Sequence, residues 1–437
     1  MNLSRRTVLL TGGALAAAAV AGCSVTGAPA PGASAGTAGA SSGGALSGTV
    51  NLLVMKQAGW TEDDWAGVIT KFTAANPGIK VNPTFVAYEA LHDKIVAAAA
   101  AGTFDVVHMD VIWPPEFAEK KMIVDVTDRV PANWKTDMVG GALAAAIYKD
   151  RFVGAPQSPS TKLFFYNKDL MAAAGVTEDS LGTWDGVMSA AKAIKDKGLS
   201  KHPIAWSWAQ AEAVICDFAQ LLGAYGGTFT DDSGKLNFNS TAGQQTLQFM
   251  VDSLKSGISH PGSPTFLEDD VIKALQSGEV AFGLNWESTF RDLNDPKASK
   301  VAGKMGVSAT PAGPSGKRPG VNGAMAYAIS SGSKNVDAAW KLIEFVTSRE
   351  VQDPLAKSST PDWTASFSDP AVEKINPEVF AACKVAYAES ILRPQVVSYN
   401  KVSALLQVEI QNALLGSKTV QAALDDAVNQ GNAALAG

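Results

Sequence analysis

Between residues 49 and 109 the chain alternates short apolar runs with amphipathic ones, and this restricts its fold more than any other feature. The run 49–55 is almost continuously apolar and reads as a strand. Trp65, Val68, Ile69 and Phe72 then share one face of a helix that Asn76-Pro77-Gly78 stops. A second strand at 79–85, a helix at 90–101 closed by Gly102 and a third strand at 105–109 follow. Strands buried on both faces lack polar alternation, so this order predicts a mostly parallel sheet covered by helices on both sides.

The 437 residues allow two or three domains. The run 152–156 reads as a strand leaving one domain, and 163–166 as a strand entering another. Helices are expected at 167–175, 184–197, 211–225, 241–256 and 269–277, with strands at 203–208 and 280–285 among them. A Pro/Gly loop spans 311–323, a strand 326–330 and a helix 336–347. The final third reads as helical, at roughly 370–389, 398–415 and 419–434. The fold class is α/β with a helical C-terminal portion.

The N-terminus reads as an address rather than part of the fold. Arg5 and Arg6 stand before an Ala/Leu run that is too short to span a bilayer and ends Val20-Ala21-Gly22-Cys23. Small residues before a Cys resemble a bacterial lipobox, and the paired arginines resemble a twin-arginine signal. Residues 1–22 are then a signal peptide and Cys23 the lipidated first residue. The uncharged Ser/Gly/Ala/Thr/Pro tract to residue 48 is a tether to the membrane.

Composition excludes several functions. With 42 acidic against 36 basic residues and a formal charge of −6, the chain lacks the basic balance of a nucleic-acid binder. Three cysteines and four histidines show no metal-ligand spacing, so neither a metal nor another cofactor is expected. Cys216 and Cys383 each sit in an apolar helical pattern and read as buried free thiols, with a disulfide between them, which export would permit, as the alternative. No nucleophile elbow, dinucleotide fingerprint or phosphate loop occurs.

Tryptophan in loops stands out instead. Trp60, Trp113, Trp206, Trp208, Trp286 and Trp363 fall in loops or at the ends of expected strands. In open α/β sheets ligands bind beyond the strand carboxyl ends, where an aromatic ring can stack on a sugar. Trp65, Trp184 and Trp340 lie within helical patterns and read as core.

Several stretches resemble the extracellular solute-binding proteins of ABC importers, in particular the carbohydrate-binding group that includes maltose-binding protein. They are Asn76-Pro77-Gly78-Ile79-Lys80-Val81, Gly102-Thr103-Phe104-Asp105-Val106-Val107, Phe165-Tyr166-Asn167-Lys168-Asp169-Leu170, Thr183-Trp184-Asp185, Ser277-Gly278-Glu279-Val280-Ala281-Phe282, and Ala338-Ala339-Trp340-Lys341-Leu342-Ile343-Glu344-Phe345-Val346. The resemblance implies a two-lobed periplasmic-binding-protein-like fold whose lobes are joined by a multi-segment hinge. It divides the chain into 49–155 with 307–349 and 156–306 with 350–437. It also implies a monomeric, non-enzymatic receptor, lipid-anchored outside the cytoplasmic membrane, that binds a carbohydrate ligand and delivers it to permease subunits. By position it assigns ligand contacts to Gln57, Trp60, Asp110, Trp113, Ser160, Thr161, Trp286, Asn322 and Gly323, and more weakly to Trp208, Glu212, Trp363 and Arg393. Gly59, Trp60 and Trp113 replace charged residues of the maltose-binding protein, which argues against maltose itself. A glycerophosphate, a polyamine or a carbohydrate-active enzyme are the alternatives.

Overall fold

The computed structural model describes residues 46–57 and 59–436; the expected signal peptide, Cys23 and most of the tether lie outside them. Strands β1 (Gly48–Met55), β2 (Ile79–Val86), β3 (Val106–Asp110) and β4 (Ala155–Ser158) belong to a first sheet. Strands β5 (Lys162–Asn167), β6 (Ile204–Ala205), β7 (Phe282–Trp286) and β8 (Met305–Ser308) form a second. The chain then returns to the first sheet as β9 (Met325–Ile329), giving the orders β2-β1-β3-β9-β4 and β8-β5-β7-β6.

The three strands read from the opening alternation are parallel, as expected. The returning β9 runs antiparallel to β3 and β4, and β5 runs antiparallel to both its neighbours. Strand β4 stays in the first sheet to Ser158 and β8 in the second to Ser308. The boundaries expected at 155/156 and 306/307 therefore fall inside strands, because the chain changes sheet only where its ladder partners run out.

The helices that matter here are α1 (Glu62–Ala75), α2 (Tyr88–Ala99), α3 (Trp184–Asp196), α4 (Glu212–Ala224), α5 (Glu268–Ser277), α6 (Thr289–Leu293), α7 (Val336–Val346), α8 (Pro377–Ala388), α9 (Tyr399–Leu414) and α10 (Val420–Ala436). Thr61 opens α1 with a capping box: its hydroxyl accepts from the Asp64 N–H, and the Asp64 carboxylate accepts from the Thr61 N–H. The helix expected over 370–389 is two, Pro370–Glu373 and α8. Pro377 has no N–H to continue the first and is preset to begin the second. The strand expected at 203–208 shrinks to Ile204–Ala205.

Each sheet carries its own core. One cluster packs Leu52, Leu53, Val106 and Val107 against Trp65, Phe72, Ile343 and Trp340. In the second sheet β5 is buried on both sides. Phe164 and Tyr166 face a cluster with Trp184, Trp206 and Phe282, while Leu163 and Phe165 face one with Val271, Leu275 and Phe380. Helices α9 and α10 complete the second lobe through Leu406, Ile410 and Leu424. Cys216 and Cys383 are free and buried, in different clusters.

Two passages between the sheets run side by side. Thr161, between β4 and β5, pairs with Asn322 on the way to β9, and the Gly323 N–H donates to the Ser160 carbonyl at 2.9 Å. The result is the two-lobed periplasmic-binding-protein fold.

Candidate functional site

Both sheets point strand ends and helix N-termini at one cavity. The first lobe supplies Met55 ending β1 and Gln57 past it, Tyr88 and Glu89 at the start of α2, Asp110 ending β3, and Gln157 on β4. The second supplies Glu212 and Cys216 on α4, Glu268 and Asp269 opening α5, Asn285 and Trp286 ending β7, and Thr289 opening α6. Ser160, Gly323 and Arg393 line it from the connecting segments. The empty space between these walls, open solvent included, is about 950 Å³. A strand's carboxyl end and a helix's free N–H groups both present hydrogen-bonding atoms, which is why such a crevice suits polar ligands.

The floor is an ionic bridge between the lobes. The Arg393 guanidinium is buried and donates from Nη2 to Asp110 at 3.0 Å and from Nη1 to Glu212 at 2.7 Å. The Tyr88 hydroxyl donates to the other Asp110 oxygen at 2.5 Å, and Tyr399 and Ser403 donate to Glu212. Burial holds the Glu212 carboxyl above its ordinary range, against the pull of Arg393.

Beside it stands Trp286, half-buried, with Gly323 against its ring. A Cβ at Gly323 would lie 2.2 Å from Cζ3. On β5, paired directly with Trp286, Lys162 places its ammonium 5.3 Å from the ring centroid. That ammonium donates to Asp217 at 2.8 Å and Ser207 at 2.9 Å, and lies 3.1 Å from Glu268. Burial pushes the Lys162 pKa down, but Asp217 and Glu268 outweigh it and hold the group cationic. The buried Glu287 carboxylate accepts from the Ser160 hydroxyl at 2.7 Å and the Thr161 N–H at 3.2 Å, fixing the first crossing.

Of the expected contacts, Gln57, Asp110, Ser160, Glu212, Trp286, Gly323 and Arg393 come together on the cavity wall. The others lie off it. Trp60 is buried edge-on to Trp65, with centroids 5.3 Å apart, and Trp208 stacks on Trp206 at 4.8 Å. Trp113 is buried behind Tyr88, stacked on it at 5.7 Å. Thr161 and Asn322 are spent on pairing the crossings, and the Asn322 amide donates to the Gly141 carbonyl. Trp363 packs edge-on to Trp134 and donates to the Thr347 carbonyl. Tyr88, Glu89, Glu268, Asp269 and Asn285 line the cavity without having been singled out. Glu268 and Asp269 sit in an acidic first turn, the one signal that could have marked them.

Among the described residues no group of three or more His, Cys, Asp or Glu is placed to hold a metal ion. His108 is buried, bonded through Nε2 to Gln157 at 2.8 Å.

The model of the family described as "Bacterial extracellular solute-binding protein" matches residues 58–353. A Deinococcus radiodurans relative, named "Probable ABC transporter-binding protein", is 26% identical, with 72% of this chain and 76% of the relative covered. Among solved structures, maltose-bound T. maritima MalE3 superposes with a TM-score of 0.81 and 28% identity, over 88% of this chain and 98% of that one. A solute-binding protein from Thermotoga lettingae, bound with α-D-tagatose, has a TM-score of 0.79 and 26% identity, over 89% of this chain and 100% of that one. With two lobes around one cavity and a family match across most of its length, the chain belongs to the bacterial extracellular solute-binding proteins, the solute-binding components of ABC transporters.

Proposed function

We propose that the protein is a lipid-anchored receptor that captures a sugar, as a glycoside or small oligosaccharide, between its lobes and hands it to a membrane permease. The observation that carries this reading is the half-buried Trp286 ring in a cavity that combines apolar side chains such as Met55, Leu267, Ile272 and Met325 with hydrogen-bonding ones from both lobes. A sugar has an apolar face for the ring and hydroxyls for the carboxylates, amides and Ser160. Contacts on both walls favour the closed form, which a permease would recognise. The sugars named for the MalE3 and Thermotoga lettingae structures support the class. A glycerophosphate is disfavoured, because Lys162 and Arg393 are both already bound to carboxylates.

The test is a thermal-shift and calorimetric screen of the purified protein against mono-, di- and oligosaccharides, with tryptophan fluorescence as a second readout. Trp286→Ala is expected to weaken the sugar found by about 1–3 kcal/mol with the fold intact; unchanged affinity would remove Trp286 from the site. Turnover of a glycoside would replace the receptor reading with an enzyme. The Arg5-Arg6 signal and Cys23 support export to the outer face of the cytoplasmic membrane. Cys23→Ser is expected to release the protein from the membrane fraction with ligand affinity unchanged, and retention there would rule out this anchor.

A further inference from the structure

His108 lies behind the cavity rather than on its wall, and its place follows from the first sheet. The ladder between β1 and β3 pairs Leu52 and Leu53 with Val106 and Val107 and goes no further. The Lys56 N–H donates to the Val86 carbonyl of β2, so the Met55 N–H turns toward β3, where the ladder has run out. The buried His108 ring meets it, with Nδ1 3.4 Å from the Met55 nitrogen. A buried N–H without a partner is costly, so the ring completes what the ladder leaves open. His108 also stacks on its cross-strand partner Tyr327, with centroids 5.2 Å apart, which fixes the ring plane.

These contacts decide the tautomer. Only an unprotonated Nδ1 can accept the Met55 N–H, so the proton of the neutral ring sits on Nε2. Burial lowers the His108 pKa to about 4, against the Gln157 hydrogen bond, so the ring is neutral at pH 7. Among the described residues no charged side chain bonds to the ring; Asp110, two residues along β3, bonds to Arg393 and Tyr88 instead. Nε2 then donates to Oε1 of Gln157 at 2.8 Å. A glutamine amide has an accepting end and a donating end, and a half-turn exchanges them. Here the oxygen is taken, so the nitrogen is left over. It makes no hydrogen bond among the described residues, and a Cβ added to Gly59 would lie 3.9 Å from it. Gln157 and Gly59 both line the cavity.

We infer that His108 is a positioning residue for ligand recognition: it locks Gln157 so that the cavity meets the amide N–H groups and not the oxygen, and the solute atom seated there is an acceptor. This rests on the cavity being the solute site, as read above, and narrows what the site takes. An unlocked amide would turn either way and would have to be ordered on binding, whereas the lock sets a donor in advance. A ring or glycosidic oxygen, which can only accept, is favoured at this spot, and an ammonium, which can only donate, is refused.

The first arm of the experiment needs neither a variant nor a ligand. Long-range ¹⁵N–¹H spectra of the histidine rings in the full protein at pH 7 are expected to show His108 neutral with its proton on Nε2. Nuclear Overhauser contacts are expected to place the Gln157 amide protons beside Gly59. A His108 proton on Nδ1, or amide protons against the His108 ring, overturns the inference. The second arm titrates glucose, maltose, maltotriose, cellobiose and α-D-tagatose calorimetrically. His108→Phe keeps a ring for Tyr327 but has no N–H, and His108→Gln restores an N–H toward Gln157. Both leave the Met55 N–H without its acceptor, so the difference between them isolates the donor to Gln157. A sugar of this set that binds wild type is expected to bind His108→Phe about three- to tenfold more weakly and His108→Gln nearly as well as wild type. Equal loss in both variants overturns the positioning role and leaves the sugar receptor standing. If no sugar binds, the sugar reading falls, and the ring and amide spectra of the wild type still decide the lock.

Discussion

Replacing Arg393 with methionine removes the cation between Asp110 and Glu212 while keeping a similar side-chain length. The three side chains are 1%, 4% and 13% exposed, so both carboxylates stay largely out of water without a counter-ion. Tyr88 still donates to Asp110, and Tyr399 and Ser403 to Glu212, so neither loses every hydrogen bond. Breaking a buried pair from one side costs about 3–5 kcal/mol. The cost is that of ionised carboxylates, so it depends on pH. Burial already raises the folded pKa of Glu212, and loss of Arg393 raises it further. For an acid whose folded pKa lies above its unfolded value, the penalty is present at high pH. It fades as pH falls through the folded pKa and is gone below the unfolded one, about 4.3. Urea unfolding of Arg393→Met should therefore show a loss of about 3–5 kcal/mol near neutral pH and a distinctly smaller one near pH 4. Adding Glu212→Gln should recover part of the loss at neutral pH. Wild-type stability at neutral pH, or an equal loss at both pH values, would refute the electrostatic argument.

Two further outcomes follow from single contacts. Gly323→Ala puts a methyl 2.2 Å from Cζ3 of Trp286, so the ring must move; overpacking of this kind costs about 1–3 kcal/mol. It should appear as a changed tryptophan emission and weaker ligand binding, and unchanged spectra and affinity would show that the ring does not bear on Gly323. Asp362 is fully buried, accepts from the Gln352 amide, and has its other oxygen unpartnered. Burial pushes its pKa up to about 7, against the pull of the Gln352 hydrogen bond. With the folded value raised, stability falls as pH rises from the unfolded value toward 7. Asp362→Asn should flatten that slope and gain up to about 4 kcal/mol at pH 8, measured by urea midpoints across pH. A slope identical to wild type would mean that Asp362 does not titrate in that window.

Much of the fold was legible because local patterns carried it. Helix α1 is bounded by Thr61 and Asn76 and buries Trp65, Val68 and Phe72 of the four residues its spacing put on one face, with Ile69 half-buried beside them. Trp286 lines the cavity as its place at an expected strand end suggested, whereas Asp110, which ends β3, was assigned through the family resemblance. Arg393, far along the chain and without local signal, was reached only through the family resemblance. The loop tryptophans show the limit. Trp60, Trp113 and Trp208 occupy loops as expected, yet each turns inward onto Trp65, Tyr88 or Trp206. An aromatic residue in a loop can bury its ring against whichever neighbour the tertiary fold supplies, and sequence spacing does not name that neighbour.

The sequence by itself determined most of the strands and helices and the helical end, because apolar periodicity and capping act within a few residues, and its motifs carried the family resemblance. Only the tertiary structure decided which side chains share the cavity. Tyr88 and Glu89 meet Glu268 and Asp269 across about 180 residues because two separate sheets aim helix N-termini at one space. The charge of that space is a sum over both walls. No local stretch contains it; it arises when the lobes face each other.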